Sequence, residues 1–248
     1  MLYYKSMSKL RKQVGKCKTL VFLDFEGTQI SHEMIAIGAV KCTLNAQGKI
    51  KKYYKPFKRL VKAKNRIGKV VERLCGINEE MLKKDGIEFF DAMEELKKYC
   101  GISFKNAKFV TFGSHDIRII NQSMQYTFHC PKEICQHIIH NHIDFLVHIS
   151  EFIKEKDNNP YSLVNYCKLF GVEQAQPAHD PACDAINLAK LYDAFLSDTP
   201  LVFEEYKKTL ARLNHVPVPV IKILTKLAND EDVTTKEYEQ ILKDYIDD

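Results

Sequence analysis

The chain of 248 residues contains no tryptophan. Its 14 Phe and 12 Tyr leave the core well supplied with aromatic rings. No apolar run approaches the roughly 20 residues that span a bilayer, so no membrane partner is expected. The stretch from Met1 to Lys18 is basic but has no apolar centre, which excludes a secretory signal. Eight cysteines are too few for a disulfide scaffold in a chain this long. These absences point to a reduced, cytoplasmic protein with mostly free thiols. No internal repeat and no low-complexity stretch is present. With 45% hydrophobic and 28% charged residues, the composition is that of a soluble globular protein. The length allows one sizeable core, or one domain with an appendage.

Acid is missing where base is dense. The net charge is only +5, which permits a nucleic-acid partner without requiring one. Yet between Lys49 and Lys69 there is no Asp or Glu. Lys49, Lys51, Lys52, Lys55, Lys58, Arg59, Lys62, Lys64, Arg66 and Lys69 fill that segment, with Tyr53, Tyr54 and Phe57 among them. Such a segment offers a polyanion both cations and rings. A solvated strand-and-loop face accounts for it equally well.

Thr19 to Phe25 is a short apolar run rich in β-formers and reads as a buried strand. Met34 to Val40 reads as a second strand and Ile50 to Phe57 as a third, with antiparallel neighbours. Helical spacing then takes over. Asn78 is the expected N-cap of one helix, and Phe89 to Tyr99 repeats apolar residues at helical spacing. Phe109 to Phe112 is a further strand, leading into a helix from about His115 to Gln125. Tyr161 to Phe170 is expected to be a helix closing at Gly171. Pro181 to Leu196 is an amphipathic helix with Asp180 as N-cap and Pro181 at its first position. After Ser197, Thr199-Pro200, Pro217 and Pro219 punctuate the chain, and Thr234 with Glu237 marks a last capping box. The expected organisation is a basic N-terminal segment (1–17), a main domain (18–198) and a helical C-terminal extension (199–248). The fold class is α/β, with a mixed sheet flanked by helices.

Asp24 and Glu26 lie at the end of the first strand. Positions i and i+2 of a strand face the same way. Two like charges there are unfavourable unless a cation neutralises them. Oxygen ligands of this kind suit Mg²⁺ or Mn²⁺ better than zinc. A solvent-exposed acidic strand end is the plainer alternative. Asp116 opens a helix just after a strand, where it equally suits the helix dipole. His179 precedes the last long helix of the domain and Asp184 falls in its first turn, so both can face the same end of the domain.

In combination these residues resemble the DEDDh group of DnaQ-like 3′–5′ exonucleases. Asp24-Phe25-Glu26-Gly27-Thr28 is similar to that family's Asp-x-Glu motif on its first strand. Asp116, in Thr111-Phe112-Gly113-Ser114-His115-Asp116, matches the second motif. His179 and Asp184, in His179-Asp180-Pro181-Ala182-Cys183-Asp184, match the third. Order and spacing agree over about residues 18–197, and Leu74-Cys75-Gly76-Ile77-Asn78 looks like the segment between the first two motifs. A sister group has tyrosine four residues before the last Asp, where this chain has Asp180. The wording around Asp24 and Asp116 looks closer to the RNA-processing Eri-type and KapD-like members.

The resemblance implies an RNase-H-like fold and a site of two Mg²⁺ or Mn²⁺ ions held by Asp24, Glu26, Asp116 and Asp184. It implies His179 as general base, with Gly27 and Thr28 beside the terminal nucleotide and Phe25 turned into the core. The expected partners are 3′ ends of single-stranded RNA or DNA. Other readings stay open. The chain could be a catalytically silent RNase-H-like module that binds nucleic acid or protein. The C-terminal extension, with Val216, Val218, Val220, Ile221, Ile223 and Leu224, could serve as a scaffold or oligomer contact, although capping the domain is the favoured role. His129, Cys130, Cys135, His137, His140 and His142 invite a zinc reading, but their spacing is poor for one.

Overall fold

The computed structural model describes residues 7–177, 179–213 and 216–247, so the first six residues of the basic N-terminal segment lie outside it. Six strands form one mixed sheet: β1 (Thr19–Gly27), β2 (Met34–Leu44), β3 (Ile50–Tyr53), β4 (Phe57–Leu60), β5 (Lys108–Thr111) and β6 (His142–Asp144). The order is β3-β2-β1-β5-β6, with β4 also paired to β2. β1 and β2 are antiparallel, whereas β1, β5 and β6 run parallel. The expected mixed sheet with flanking helices is therefore present.

Helices cover the sheet. In chain order they are α1 (Met7–Val14), α2 (Lys69–Cys75), α3 (Glu79–Asp85), α4 (Phe89–Cys100), α5 (His115–Tyr126), α6 (Lys132–His140), α7 (Phe145–Ile149), α8 (Leu163–Leu169), α9 (Pro181–Ser197), α10 (Thr199–Leu210), α11 (Val218–Ala228) and α12 (Thr235–Asp247). The strand period of two divides β1 between two cores. Leu20 and Phe22 enter a core built with α9, while Val21, Leu23 and Phe25 enter a core built with α4, α5 and α6. Asp24 and Glu26 continue the α9 side of that alternation, beyond the last apolar residue.

The caps expected from sequence form. The Met81 N–H donates to Asn78 Oδ1 at 2.9 Å. Asp180 Oδ1 accepts from the N–H groups of Ala182 and Cys183 at 3.0 and 3.2 Å, with Pro181 at the helix start. Other boundaries move. The expected third strand, Ile50 to Phe57, is two strands, β3 and β4, both paired to β2. Pro56 lies in the break, where a residue without an N–H cannot continue a ladder. The helix expected from Tyr161 begins at Leu163, because Ser162 caps it by accepting from the Asn165 N–H at 3.2 Å. Gly171 follows with φ 62°. The last capping box is half made: the Glu237 N–H donates to Thr234 Oγ1 at 3.2 Å, while the Glu237 carboxylate pairs with Lys226 instead.

Of the C-terminal helices, α10 packs on the domain, whereas Val218 and Val220 of α11, expected to help cap it, are exposed. Val202 of α10 is buried in the α9-side core, and Tyr206 meets Phe152 edge-on at 5.2 Å. Among the described residues, no helix is long and apolar enough to cross a membrane.

Candidate active site

Three elements deliver the four acids. Asp24 and Glu26 come from the end of β1. Opposite them in register lie Gly38 and Ala36 of β2. Asp184 comes from the first turn of α9, which packs across β1 and β2. Asp116 opens α5, and its Oδ1 accepts the Phe25 N–H at 2.8 Å. That bond has a clear cause. The β1–β5 pairing stops at Phe22 and Val110, so the Phe25 N–H has no strand partner on that side. A buried donor without a partner is costly, and the carboxylate of Asp116 meets it.

The carboxylates act on one another. Burial pushes the Asp24 carboxyl well above the usual range, and the charges of Asp116, Glu26, Asp184 and Asp180 push it further. Glu26 is raised to about 7, first by burial and then by Asp184, Asp116 and Asp180. Asp116 is raised to about 7 by burial, which outweighs the N–H of Phe25 holding it down. Asp184 is also raised by burial, opposed by its bond from Asn187 and by His179. Among the described residues, none of these four acids forms an ion pair with lysine or arginine. Nor is any trio of His, Cys, Asp or Glu drawn tightly enough together to enclose an ion.

His179 and Asp184 are joined through the backbone. The His179 N–H donates to Asp184 Oδ2 at 3.0 Å. His179 has φ 59°, in the left-handed region that non-glycine residues seldom occupy, and such residues gather at functional sites. Its side chain is exposed. The buried amide of Asn187 donates to Asp184 Oδ1 at 3.4 Å and, through its own Oδ1, accepts the Ala175 N–H at 2.7 Å. One side chain thus ties both the acid and the loop before α9.

Gly27 and Thr28 follow directly after Glu26. Thr28 is 1% exposed, and its hydroxyl is committed within the turn. It accepts the Glu33 N–H at 2.9 Å and shares a hydrogen bond with Ser31 Oγ at 2.6 Å. The Thr28 hydroxyl is thus turned inward. The Thr28 and Gln29 N–H groups are likewise spent, on the carbonyls of Glu33 and Ile67, both at 2.8 Å, and a Cβ on Gly27 would meet the Ile119 side chain at 3.0 Å. The His/Cys group at 129–142 is dispersed: Cys135 is buried in the α4–α6 core, His137 Nε2 bonds the Phe104 carbonyl at 2.9 Å, and His142 Nε2 bonds Thr111 Oγ1 at 2.7 Å.

Besides Asn187, two further positioning residues escaped the sequence reading. A Cβ on Gly38 would lie 1.9 Å from the carbonyl carbon and oxygen of Pro181 and 2.3 Å from the Ala182 nitrogen. Only a glycine lets the start of α9 sit directly on β2. A glycine inside the apolar run Met34 to Val40 was the available signal. Lys58 of β4 reaches Asp180 Oδ2 at 2.5 Å. It was visible only as one lysine in a basic segment.

The exonuclease family model matches residues 21–192, which include all five residues. The chain belongs to the RNase T exonuclease family. Among solved structures, this exonuclease chain is similar to a full-length 3′-exonuclease (TM-score 0.58, 16% identity, 74% of this chain and 62% of that one). It is similar to a 3′-exonuclease solved in 3′-end-specific recognition of a histone mRNA stem-loop (TM-score 0.60, 16% identity, 79% and 71% covered). It is also similar to the nuclease domain of 3′hExo, a DEDDh family member bound to rAMP (TM-score 0.55, 15% identity, 75% and 94% covered). The chain thus spans less than two thirds of the first of these proteins. No curated protein matches its sequence. The shared fold is the RNase-H-like, DnaQ-like fold of DEDDh exonucleases.

Proposed function

We propose that this chain hydrolyses phosphodiester bonds one nucleotide at a time from the 3′ end of single-stranded nucleic acid, favouring RNA over DNA. The observation that carries the proposal is the mutual electrostatic coupling of Asp24, Glu26, Asp116 and Asp184, four acids from three elements without a cationic side-chain partner among the described residues. An all-oxygen donor set of this kind fits Mg²⁺ or Mn²⁺, two ions to the site. When bound, such ions supply Lewis-acid stabilisation and a more acidic water.

The chain's own groups do the rest. His179, exposed and fixed through its backbone to Asp184, accepts the proton of the attacking water. An imidazole suits this because it takes and releases protons near neutral pH. The terminal nucleotide lies beside the Gly27–Thr28 turn, where Gly27 lets β1 pass close over the Ile119 side chain. Asn187 and Lys58 hold the loop and cap that position His179 and Asp184. The RNA preference and the Eri-type placement draw support from the wording around Asp24 and Asp116 and from the histone mRNA exonuclease among the similar structures. A reducing, cytoplasmic setting is part of the proposal. The boundaries 1–17, 18–198 and 199–248 belong to the same proposal, with the extension capping the domain.

The test is incubation of purified protein with 5′-labelled single-stranded RNA and DNA of one sequence, in Mg²⁺, Mn²⁺ or EDTA, beside Asp24→Asn. The expected result is a metal-dependent ladder shortening from the 3′ end, absent in the variant and faster on RNA. If the wild type cuts neither strand in either metal, the chain is a binding module instead.

A further inference from the structure

The basic segment wraps the acidic site at two points. Lys58 of β4 lies across β2 from Asp24, in register with Gly38, and grips the N-cap of α9. Downstream, the N–H groups of Lys64 and Asn65 are held by the buried Glu33 carboxylate at 2.8 and 2.9 Å. The Gln29 N–H of the turn after Glu26 donates to the Ile67 carbonyl at 2.8 Å. The segment is therefore part of the site's wall.

At its upstream end lies a hollow of about 450 Å³, lined by Val40, Tyr53, Tyr54, Pro56, Ile186 and Lys190. Ile186 is two residues beyond Asp184 on α9. Val40 is two residues from Gly38 on β2, about 7 Å along the strand and on the same face. The hollow thus opens on the α9 face, two residues back along the β1–β2 ladder from the level of Asp24. Tyr53 is 42% exposed there. On the other face of the sheet the ammonium groups of Lys41 and Lys52 stand over the Tyr54 ring at 4.5 and 4.8 Å, and Lys41 also donates to the Tyr99 carbonyl of α4 at 3.2 Å. The cation on the hollow's own lining is Lys190 of α9, which pairs with no carboxylate among the described residues. Lys51, Lys52 and Lys55 are exposed, and among the described residues they pair with no carboxylate.

We infer that this hollow is a subsite for an upstream nucleotide of the single strand whose 3′ end sits at the acids. Its base stacks on the Tyr53 ring against Pro56 and Ile186. Its phosphates meet Lys190 of the lining and the exposed Lys55. An apolar floor, an exposed ring and unpaired ammonium groups are what a single-stranded polyanion with flat bases requires. An acidic peptide would engage the lysines but leave the ring and the apolar walls without a partner. The inference rests on the exonuclease reading of the carboxylate site, since that reading fixes which end of the strand arrives first.

The experiment measures binding of a 5′-fluorescein single-stranded RNA of about 12 nucleotides by anisotropy in EDTA. The full chain is compared with Tyr53→Ala, Tyr53→Phe and Lys190→Ala, each checked by circular dichroism. Tyr53→Ala should weaken binding about 5- to 100-fold, the range of one lost base–aromatic stack. Tyr53→Phe, which keeps the ring, should stay within about twofold of wild type. Lys190→Ala should lower the slope of log affinity against log salt by about one phosphate contact. In Mg²⁺, Tyr53→Ala should also lower kcat/KM for the long strand relative to a dinucleotide too short to reach the hollow. Unchanged binding by Tyr53→Ala, with wild-type trimming intact, overturns the subsite and leaves the exonuclease reading standing. Losses from Lys190→Ala alone reduce the hollow to a plain charged face and also overturn it. A wild type that binds but never trims overturns the exonuclease reading instead. A wild type that does not bind overturns both.

Discussion

Gly38→Ala tests whether the approach of α9 to β2 creates the site. Alanine is ordinarily better than glycine within a strand, by about 0.5–1 kcal/mol in chain entropy. On propensity alone, the substitution should stabilise. Here the new methyl would lie 1.9 Å from the Pro181 carbonyl, where ordinary contact begins at 3.4 Å. The obstacle is backbone at the head of a helix, so no side chain can rotate away. The start of α9 must retreat by about 1.5 Å. Overpacking of this kind costs about 1–3 kcal/mol, which outweighs the entropic gain. Asp184 and His179 ride on the displaced turn, while Asp24 and Glu26 stay with β1. A misplacement of about 1 Å at a reacting centre can cost about 100-fold in rate. The variant should therefore melt below wild type and trim RNA about 100-fold more slowly under single-turnover conditions. Metal protection against melting should weaken in parallel. A variant that melts at or above the wild-type temperature and trims at the wild-type rate would refute the claim that Gly38 seats α9.

His179→Ala should lower kcat about 100- to 10,000-fold with little change in KM; near-normal turnover would remove His179 from the role of base. The metal-free protein should lose stability as pH rises. Glu26 and Asp116 titrate near 7 in the folded chain, above their ordinary range, so their contribution is full below about pH 4 and is lost as pH passes 7. Glu26 alone accounts for about 3 kcal/mol between those limits. In EDTA, melting at about pH 8 should occur below that at about pH 5, and Mg²⁺ at the higher pH should restore it. A metal-free protein more stable in alkali would contradict the burial of these acids. Asp180→Ala removes the α9 cap and the Lys58 partner, and urea titration should register a loss of about 1 kcal/mol.

What the sequence made legible were features written in neighbouring residues. Thr19 to Phe25 and Met34 to Val40 announced the central strands by apolar β-formers. Asp180 followed by Pro181 located the start of α9 to the residue, and with it Asp184. Features that depend on distant partners were hidden. The Asp116–Phe25 bond spans 91 positions, and nothing local to either residue marks it. β6 is three residues long, too short for any period to register. The break between β3 and β4 did have a local sign in Pro56, which the alternation around it masked. α6 carries good helical spacing in Lys132–His140, but its cysteine and histidines drew attention to metal chemistry. The left-handed backbone of His179 has no sequence mark at all.

Asp116 serves two masters, and this bears on how an inert form of the protein should be made. Such a form is wanted to hold a substrate uncut, and any of the four acids would seem to serve. Removing the Asp116 carboxylate, however, also leaves a buried peptide N–H at Phe25 unsatisfied, at about 1–3 kcal/mol. That loosens the strand on which Asp24 and Glu26 stand. Chemistry and scaffold fail together there, and a silent assay would carry no message about either. Among the described residues, the Asp24 carboxylate makes no bond of that kind to the frame. Neutralising it relieves the crowding of like charge around it, so Asp24→Asn yields a trap that is quiet yet sound.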